Sequence, residues 1–204
     1  MGATSFSRVD ATQRGALLEI AVTAIEIRLA GPAEASPPGV ADLPPRLALA
    51  GSSFVSLHSP SGLRGCCGTL EPSRALAIDV WRNAQASAFA DPRFAPLAVD
   101  EWRDLVQLEI ALLSGFERLD VQSEAELLHV LVPAVDGLVL GWQGRRATFL
   151  PKVWQQVDGP RDFVTRLKEK AGWARDFWAR DMDVLRYRTE CVAIERPGSH
   201  GRSH

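Results

Sequence analysis

The 204-residue chain is poor in the residues that most often announce a chemistry. Three cysteines, two of them adjacent, do not lay out a disulfide framework and fit a reducing compartment. The four histidines are scattered, and no Cys or His pair has zinc-ligand spacing. No metal site is expected, although His200 and His204 could hold an ion loosely. No apolar run approaches the length that spans a bilayer, so no membrane segment is expected. The N-terminus lacks a basic region followed by an apolar core, which makes a cytoplasmic location the expectation. Neither sign of charge dominates. With 23 basic and 25 acidic residues the net charge is −2, which disfavours broad nucleic-acid binding by phosphate neutralisation. Two local basic groups, Arg145-Arg146 and Arg166, Lys168 and Lys170, read as a solvated edge and a solvated helix face. A phosphate-binding loop, a dinucleotide fingerprint and a serine-nucleophile elbow are all missing. There is no internal repeat and no low-complexity segment.

What is present is an ordinary globular composition, 46% hydrophobic and 24% charged, enough for one sizeable domain or two lobes sharing a core. Within it, Leu63-Arg64-Gly65-Cys66-Cys67-Gly68-Thr69-Leu70 packs two glycines, two thiols and a guanidinium into one short run. Gly65 and Gly68 suit unusual backbone angles or a close approach by another group. Strand alternation puts Arg64 and Cys66 on one face and Gly65 and Cys67 on the other. A cation two residues away would favour thiolate at Cys66. The other reading is a core strand in which cysteine is a compact apolar filler.

The same stretch carries a resemblance. Arg64-Gly65-Cys66 and Gly68-Thr69 resemble the signature of the AMMECR-type domain family. Further blocks follow in the family's order: Asn83-Ala84, Ser87-Ala88-Phe89, Asp91-Pro92-Arg93-Phe94, Pro96-Leu97 and Leu108-Glu109-Ile110. Asp136-Gly137-Leu138, Arg145 to Pro151, Val153-Trp154 and Lys170-Ala171-Gly172 complete the pattern. One departure is central: the family usually has isoleucine where this chain has Cys67, so Cys66 is the family's cysteine. The resemblance implies two unequal lobes, each with an antiparallel sheet, around a cleft faced by Arg64 to Gly68. Bacterial relatives resemble one part of a three-component set with a Memo-type and a radical-SAM-type protein, which implies those partners. It names neither a substrate nor a cofactor.

Along the chain, residues 1–9 are expected to fray, 10–194 to form one domain with two sublobes, and 195–204 to be a loose tail. Helical periodicity begins at Asp10 and stops at Gly31-Pro32. Residues 31–46 hold five prolines and read as an irregular connection. A strand is expected over 47–57, a turn at Ser59 to Gly62, and a partner strand over 64–70. Pro72 is expected to open a helix with Leu76, Val80, Ala84 and Ala88 on one face, ending at Asp91-Pro92. Asp91 and Arg93 read as a local ion pair holding that turn. Val106 to Ser114 is the clearest strand, and Glu109 is an acid in its middle, opposite in face to Leu108 and Ile110. Such a carboxylate is solvated, paired or functional, with Arg64 the partner to look for. Ser123 starts a short helix, 138–150 forms a hairpin, Pro151 starts a turn and Gly159-Pro160 a further helix. A final strand is expected over 184–194, with Cys191 a structural thiol. Hairpins and helices without strand–helix alternation give an α+β fold with mainly antiparallel sheets and flanking helices.

Two functions follow. In one, Cys66 is a nucleophile or group carrier, Arg64 activates it, and Glu109 orients Arg64 or moves a proton. His58 is the only histidine near in sequence, and reads more simply as a solvated loop residue. Gly65, Cys67, Gly68, Thr69 and Asn83 would line the binding site. In the other, the chain is a non-catalytic adaptor that binds a protein segment.

Overall fold

A computed structural model describes residues 8–31, 36, 37, 39 and 43–195. The expectations for residues 1–7 and for 196–204 lie outside the described residues. Asp10 caps α1 (Ala11–Ala30): its carboxylate accepts the Gln13 N–H while the Gln13 side chain accepts the Asp10 N–H. Pro45 starts α2 (Pro45–Ala48), a single turn that buries Leu47. The strand expected from Leu47 is therefore shorter, because proline at the first helical position favours a turn there. The strand β1 (Ser53–Ser59) begins at Ser53 and returns through β2 (Gly62–Gly68).

The following helix also starts later than Pro72 suggests. An Ala50–Ala75 bridge and the Leu76 N–H bond to the Leu49 carbonyl precede α3 (Leu76–Phe89). After it come α4 (Val99–Asp104), β3 (Gln107–Leu113), the short β4 (Glu117–Arg118) and α5 (Glu124–Val130), which Ser123 caps. Then β5 (Gly137–Trp142) and β6 (Arg145–Phe149) form the expected hairpin, followed by a 3-10 turn (Pro151–Gln156) and α6 (Pro160–Lys170). The single terminal strand proves to be two, β7 (Asp183–Tyr187) and β8 (Thr189–Glu195). Arg188 separates them, its N–H donating to Ser114 Oγ and its carbonyl accepting the Ser114 N–H.

The fold is α+β, with two antiparallel four-stranded sheets ordered β2-β1-β3-β8 and β4-β7-β5-β6. Two compact units result. The first comprises the described residues of 8–113 and 190–195, the second residues 114–189. In the first, α1 and α3 cover one face of the sheet around Leu17, Ile25, Val55, Leu57, Val80 and Ile110. In the second, Leu127, Leu138, Leu140, Phe163 and Leu167 form the core, with Trp154 stacked on Phe163 at 3.9 Å between ring centroids. No helix among the described residues is long and apolar enough to cross a membrane.

The basic face read on α6 needs correction. Lys168 is fully buried and its Nζ donates to Glu124 Oε2 and to the Arg175 carbonyl, as a buried ammonium requires. Arg166 pairs with Asp162 one turn back, and Lys170 donates to the Thr148 carbonyl.

Candidate functional site

The β1–β2 hairpin lies against α3 more closely than any side chain would allow. A Cβ on Gly65 would sit 2.0 Å from the Ser87 carbonyl oxygen, and one on Gly68 would sit 2.2 Å from the Phe54 ring. Both glycines are thus close-approach positions, as the sequence suggests. Three buried polar residues of α3, Asp79, Asn83 and Ser87, recur every four residues and face the hairpin. Asp79 Oδ2 accepts the Ser53 N–H, the Ser53 hydroxyl and the Asn83 amide. Burial pushes the Asp79 carboxyl upward against those bonds. The Asn83 amide also donates to the Ser53 carbonyl, and its oxygen accepts the Thr69 hydroxyl at 3.3 Å. Ser87 Oγ accepts the Cys67 N–H at 2.9 Å and lies 2.7 Å from the Val55 and Asn83 carbonyls.

On the opposite edge, the Asp91-Pro92-Arg93 turn holds Cys66 by its backbone. Asp91 Oδ2 accepts the Cys66 N–H at 2.8 Å, and Arg93 Nη2 reaches the Cys66 carbonyl at 3.4 Å. Arg93 also donates to both Asp91 oxygens, which is the ion pair expected from the sequence. That guanidinium, aided by the two backbone N–H groups, holds Asp91 far below the usual carboxylate range despite burial.

Cys66 is half-buried and opposes Ser56 of β1, whose hydroxyl donates to Cys66 Sγ at 3.3 Å. Ser56 in turn opposes Glu109 of β3. Residues directly opposite share a face, so Cys66, Ser56 and Glu109 form one row across three strands, on the face away from α3. His58 lies two residues along β1 from Ser56, opposite Leu63 and Gln107. Cys67 points to the α3 side, and burial pushes its thiol up, with Asp91 adding to the effect.

Arg64 departs from the expected pairing. Leu57 opposes Gly65 while His58 opposes Leu63, so Arg64 is the extra residue of a β-bulge. A bulge re-aims a side chain out of strict alternation. Arg64 forks onto Glu101 of α4, Nε to Oε1 at 2.8 Å and Nη2 to Oε2 at 2.9 Å, and donates to the Ala95 carbonyl. Hydrogen bonding to Arg64, then to the Ala98 N–H, lowers the Glu101 carboxyl. Phe94 lies beneath both guanidiniums, 5.6 Å from Arg64 and 5.5 Å from Arg93. The structure therefore gives Arg64 to Glu101 and leaves Glu109 on the same face as Cys66, two strands away.

Cys191, expected to be a structural thiol, is exposed on β8. No group of His, Cys, Asp and Glu among the described residues is arranged to hold a metal ion. Sequence reasoning missed Glu101, Asp79 and the bonds that Ser87 makes. The four-residue recurrence of Asp79, Asn83 and Ser87 was the signal for two of them.

These features define an α+β protein built around a glycine–cysteine hairpin that a helix and an Asp-Pro-Arg turn grip from two sides. The AMMECR1 family pattern matches residues 18–192, and the chain belongs to that family. It is 32% identical to a Methanothermobacter thermautotrophicus protein, over 85% of this chain and 90% of the relative. It is 35% identical to a Thermotoga maritima protein, over 68% of this chain and 75% of the relative. A crystal structure of an uncharacterised Pyrococcus horikoshii protein superposes with a TM-score of 0.83 at 27% identity, covering 93% of this chain and 95% of that one.

Proposed function

We propose that this protein acts through the Cys66 thiol, as the AMMECR1-type component of a set that also contains a Memo-type and a radical-SAM-type protein. The observation that carries the reading is the way Cys66 is held. Its N–H, carbonyl and sulfur each have a fixed partner in Asp91, Arg93 and Ser56, while the residue stays half-buried rather than sealed. A sulfur fixed in that manner is pre-oriented for attack. Sγ would form a bond to an electrophilic acyl or alkyl carbon as the leaving group departs with the bonding pair. The thiol proton would pass to Glu109 by way of water over the half-exposed face, while the Ser56 hydroxyl, which donates to Sγ, steadies the sulfur. Arg64 in this scheme orders the surroundings, because its charge is already matched by Glu101.

The test is site-resolved alkylation by iodoacetamide, read by peptide mass spectrometry with exposed Cys191 as the internal reference. Glu109→Gln and Ser56→Ala are expected to slow Cys66 several-fold and leave Cys191 unchanged. Labelling of Cys66 that ignores both substitutions would overturn the thiol reading.

One observation favours the second reading, an adaptor that binds a protein segment. The Arg64–Glu101 fork and the Phe94 ring beneath two guanidiniums make a fixed, half-exposed recognition surface. An adaptor predicts that Arg64→Ala abolishes co-purification of the Memo-type and radical-SAM-type proteins while Cys66→Ser does not. Nucleic acid remains the disfavoured ligand at a net charge of −2.

A further inference from the structure

The two arginines that share the Phe94 ring show opposite halves of their ion pairs to solvent. Arg64 is 12% exposed and Glu101 42%, so that fork turns its carboxylate outward. Arg93 is 55% exposed and Asp91 only 3%, so the second pair turns its guanidinium outward. Asp91 is also saturated. Its Oδ1 accepts the Arg93 N–H and Nε, and its Oδ2 accepts the Cys66 N–H and Arg93 Nη2. Arg93 has donors to spare. A second Nη2 hydrogen reaches the Cys66 carbonyl at 3.4 Å, and Nη1 has no hydrogen-bond partner among the described residues. The planar fork fixes where Nη1 points. On the edge away from Nε, one Nη1 hydrogen runs parallel to the Nη2 hydrogen that reaches that carbonyl. A free donor is therefore aimed alongside Cys66, with Sγ one side chain away. Hydrogen bonding to Asp91 raises the Arg93 guanidinium, burial opposes the rise, and the Cys66 and Cys67 sulfurs add to it, so its field reaches both thiols.

We infer that Arg93 selects the substrate of Cys66, and that this substrate is an electrophile bearing a carboxylate beside its reactive carbon. The inference rests on the thiol reading above. Sγ bonds to that carbon and the leaving group takes the bonding pair, while the carboxylate is unchanged and lies across Nη1 and Nη2. Two parallel N–H groups match the two oxygens of a carboxylate, and the long Cys66 contact is one that an incoming oxygen can share. A phosphate would bring a third oxygen for which this edge has no donor.

Two alkylating agents of similar size isolate the effect of that charge on the full chain. Iodoacetate carries the carboxylate, and iodoacetamide replaces it with a neutral amide. Rates at Cys66 and Cys191 are read for each reagent by peptide mass spectrometry at low salt. The iodoacetate-to-iodoacetamide ratio at Cys66 is expected to exceed that at Cys191 about ten-fold, the size of one charge-assisted hydrogen bond. Arg93→Gln is expected to bring the ratio down to the Cys191 value. Arg93→Lys keeps a charge beside Asp91 and serves where Arg93→Gln fails to fold. It is expected to lose most of the preference, because an ammonium lacks the fork that holds Asp91 and an incoming carboxylate on separate edges. A preference undiminished in either variant would overturn the assignment to Arg93. A wild-type Cys66 that takes iodoacetamide readily but shows no preference would overturn the carboxylate site and leave the thiol reading standing. A Cys66 inert to both reagents would end the thiol reading and this inference with it.

Discussion

A methyl group at Gly65 would have to occupy the space of the Ser87 carbonyl, 2.0 Å from where its carbon would lie. That oxygen belongs to the helix backbone and cannot rotate away. Gly65→Ala must therefore shift β2 off α3, and a cost of about 1–3 kcal/mol is expected from overpacking. Urea denaturation would measure it, and a loss under half a kilocalorie would show that the hairpin slides freely on the helix. Gly65 and Gly68 were legible as close-approach positions because glycine weakens a strand interior unless a near neighbour needs the space. Arg64 was not legible. Alternation assigns a residue to a face only while the register holds, and the register slips between Leu57 and His58. The slip sends the guanidinium to Glu101, 37 residues away in sequence. Glu109 needed no such correction, since β3 keeps its register with β1 through six successive pairs.

At the scale of elements, α3 carries two stripes. Leu76, Val80, Ala84 and Ala88 were readable as the apolar one, and all four are buried. Beside it runs the polar stripe of Asp79, Asn83 and Ser87, whose side chains tie the helix to the hairpin by hydrogen bonds. The four-residue spacing marks Asp79, Asn83 and Ser87 as one stripe of the helix, which in the ordinary case is solvated. It points inward here because Ser53, Val55 and Cys67 present backbone groups that need partners. Ser87→Ala removes the acceptor of the Cys67 N–H and the donor to the neighbouring carbonyls. The expected loss is about 1–3 kcal/mol, the cost of leaving a poorly solvated group unpaired. Hydrogen exchange at the Cys67 amide should quicken in the same variant. Unchanged exchange would mean that the amide finds another acceptor, and that the stripe is not what pins the site.

At the scale of the molecule, the sequence suggested one terminal strand where the chain builds two strands for two sheets. Val184 to Ile194 is continuous in strand propensity, and the break at Arg188 is set by Ser114, which no local pattern reveals. The helices α1, α3, α5 and α6, the β5–β6 hairpin and the antiparallel class were legible because each depends on neighbours in sequence.

The second unit offers a direct probe of its own integrity in Tyr187, the one tyrosine of the chain. Its ring is almost fully buried, with the hydroxyl 2.8 Å from Thr148 Oγ1 and 3.1 Å from the Phe149 carbonyl. Burial pushes the phenol up to about 12, and the Thr148 hydroxyl opposes that rise. In the unfolded chain the phenol ionises near its ordinary value of about 10. Between those values the unfolded state releases a proton that the folded state keeps. The contribution of Tyr187 is therefore fully present below about pH 10 and is lost as pH rises toward about 12, a loss of ~2–3 kcal/mol. Tyrosinate absorbance follows this residue without interference from a second tyrosine. The native protein should show an inflection near the upper value, or an abrupt rise below it that coincides with unfolding of the second unit's tryptophan signal. Thr148→Val should move the native inflection higher still, because it removes the group that steadies tyrosinate. A smooth inflection near the ordinary tyrosine value, with the tryptophan signal unchanged, would show that Tyr187 is open to water and that its packing against β5 and β6 is wrong.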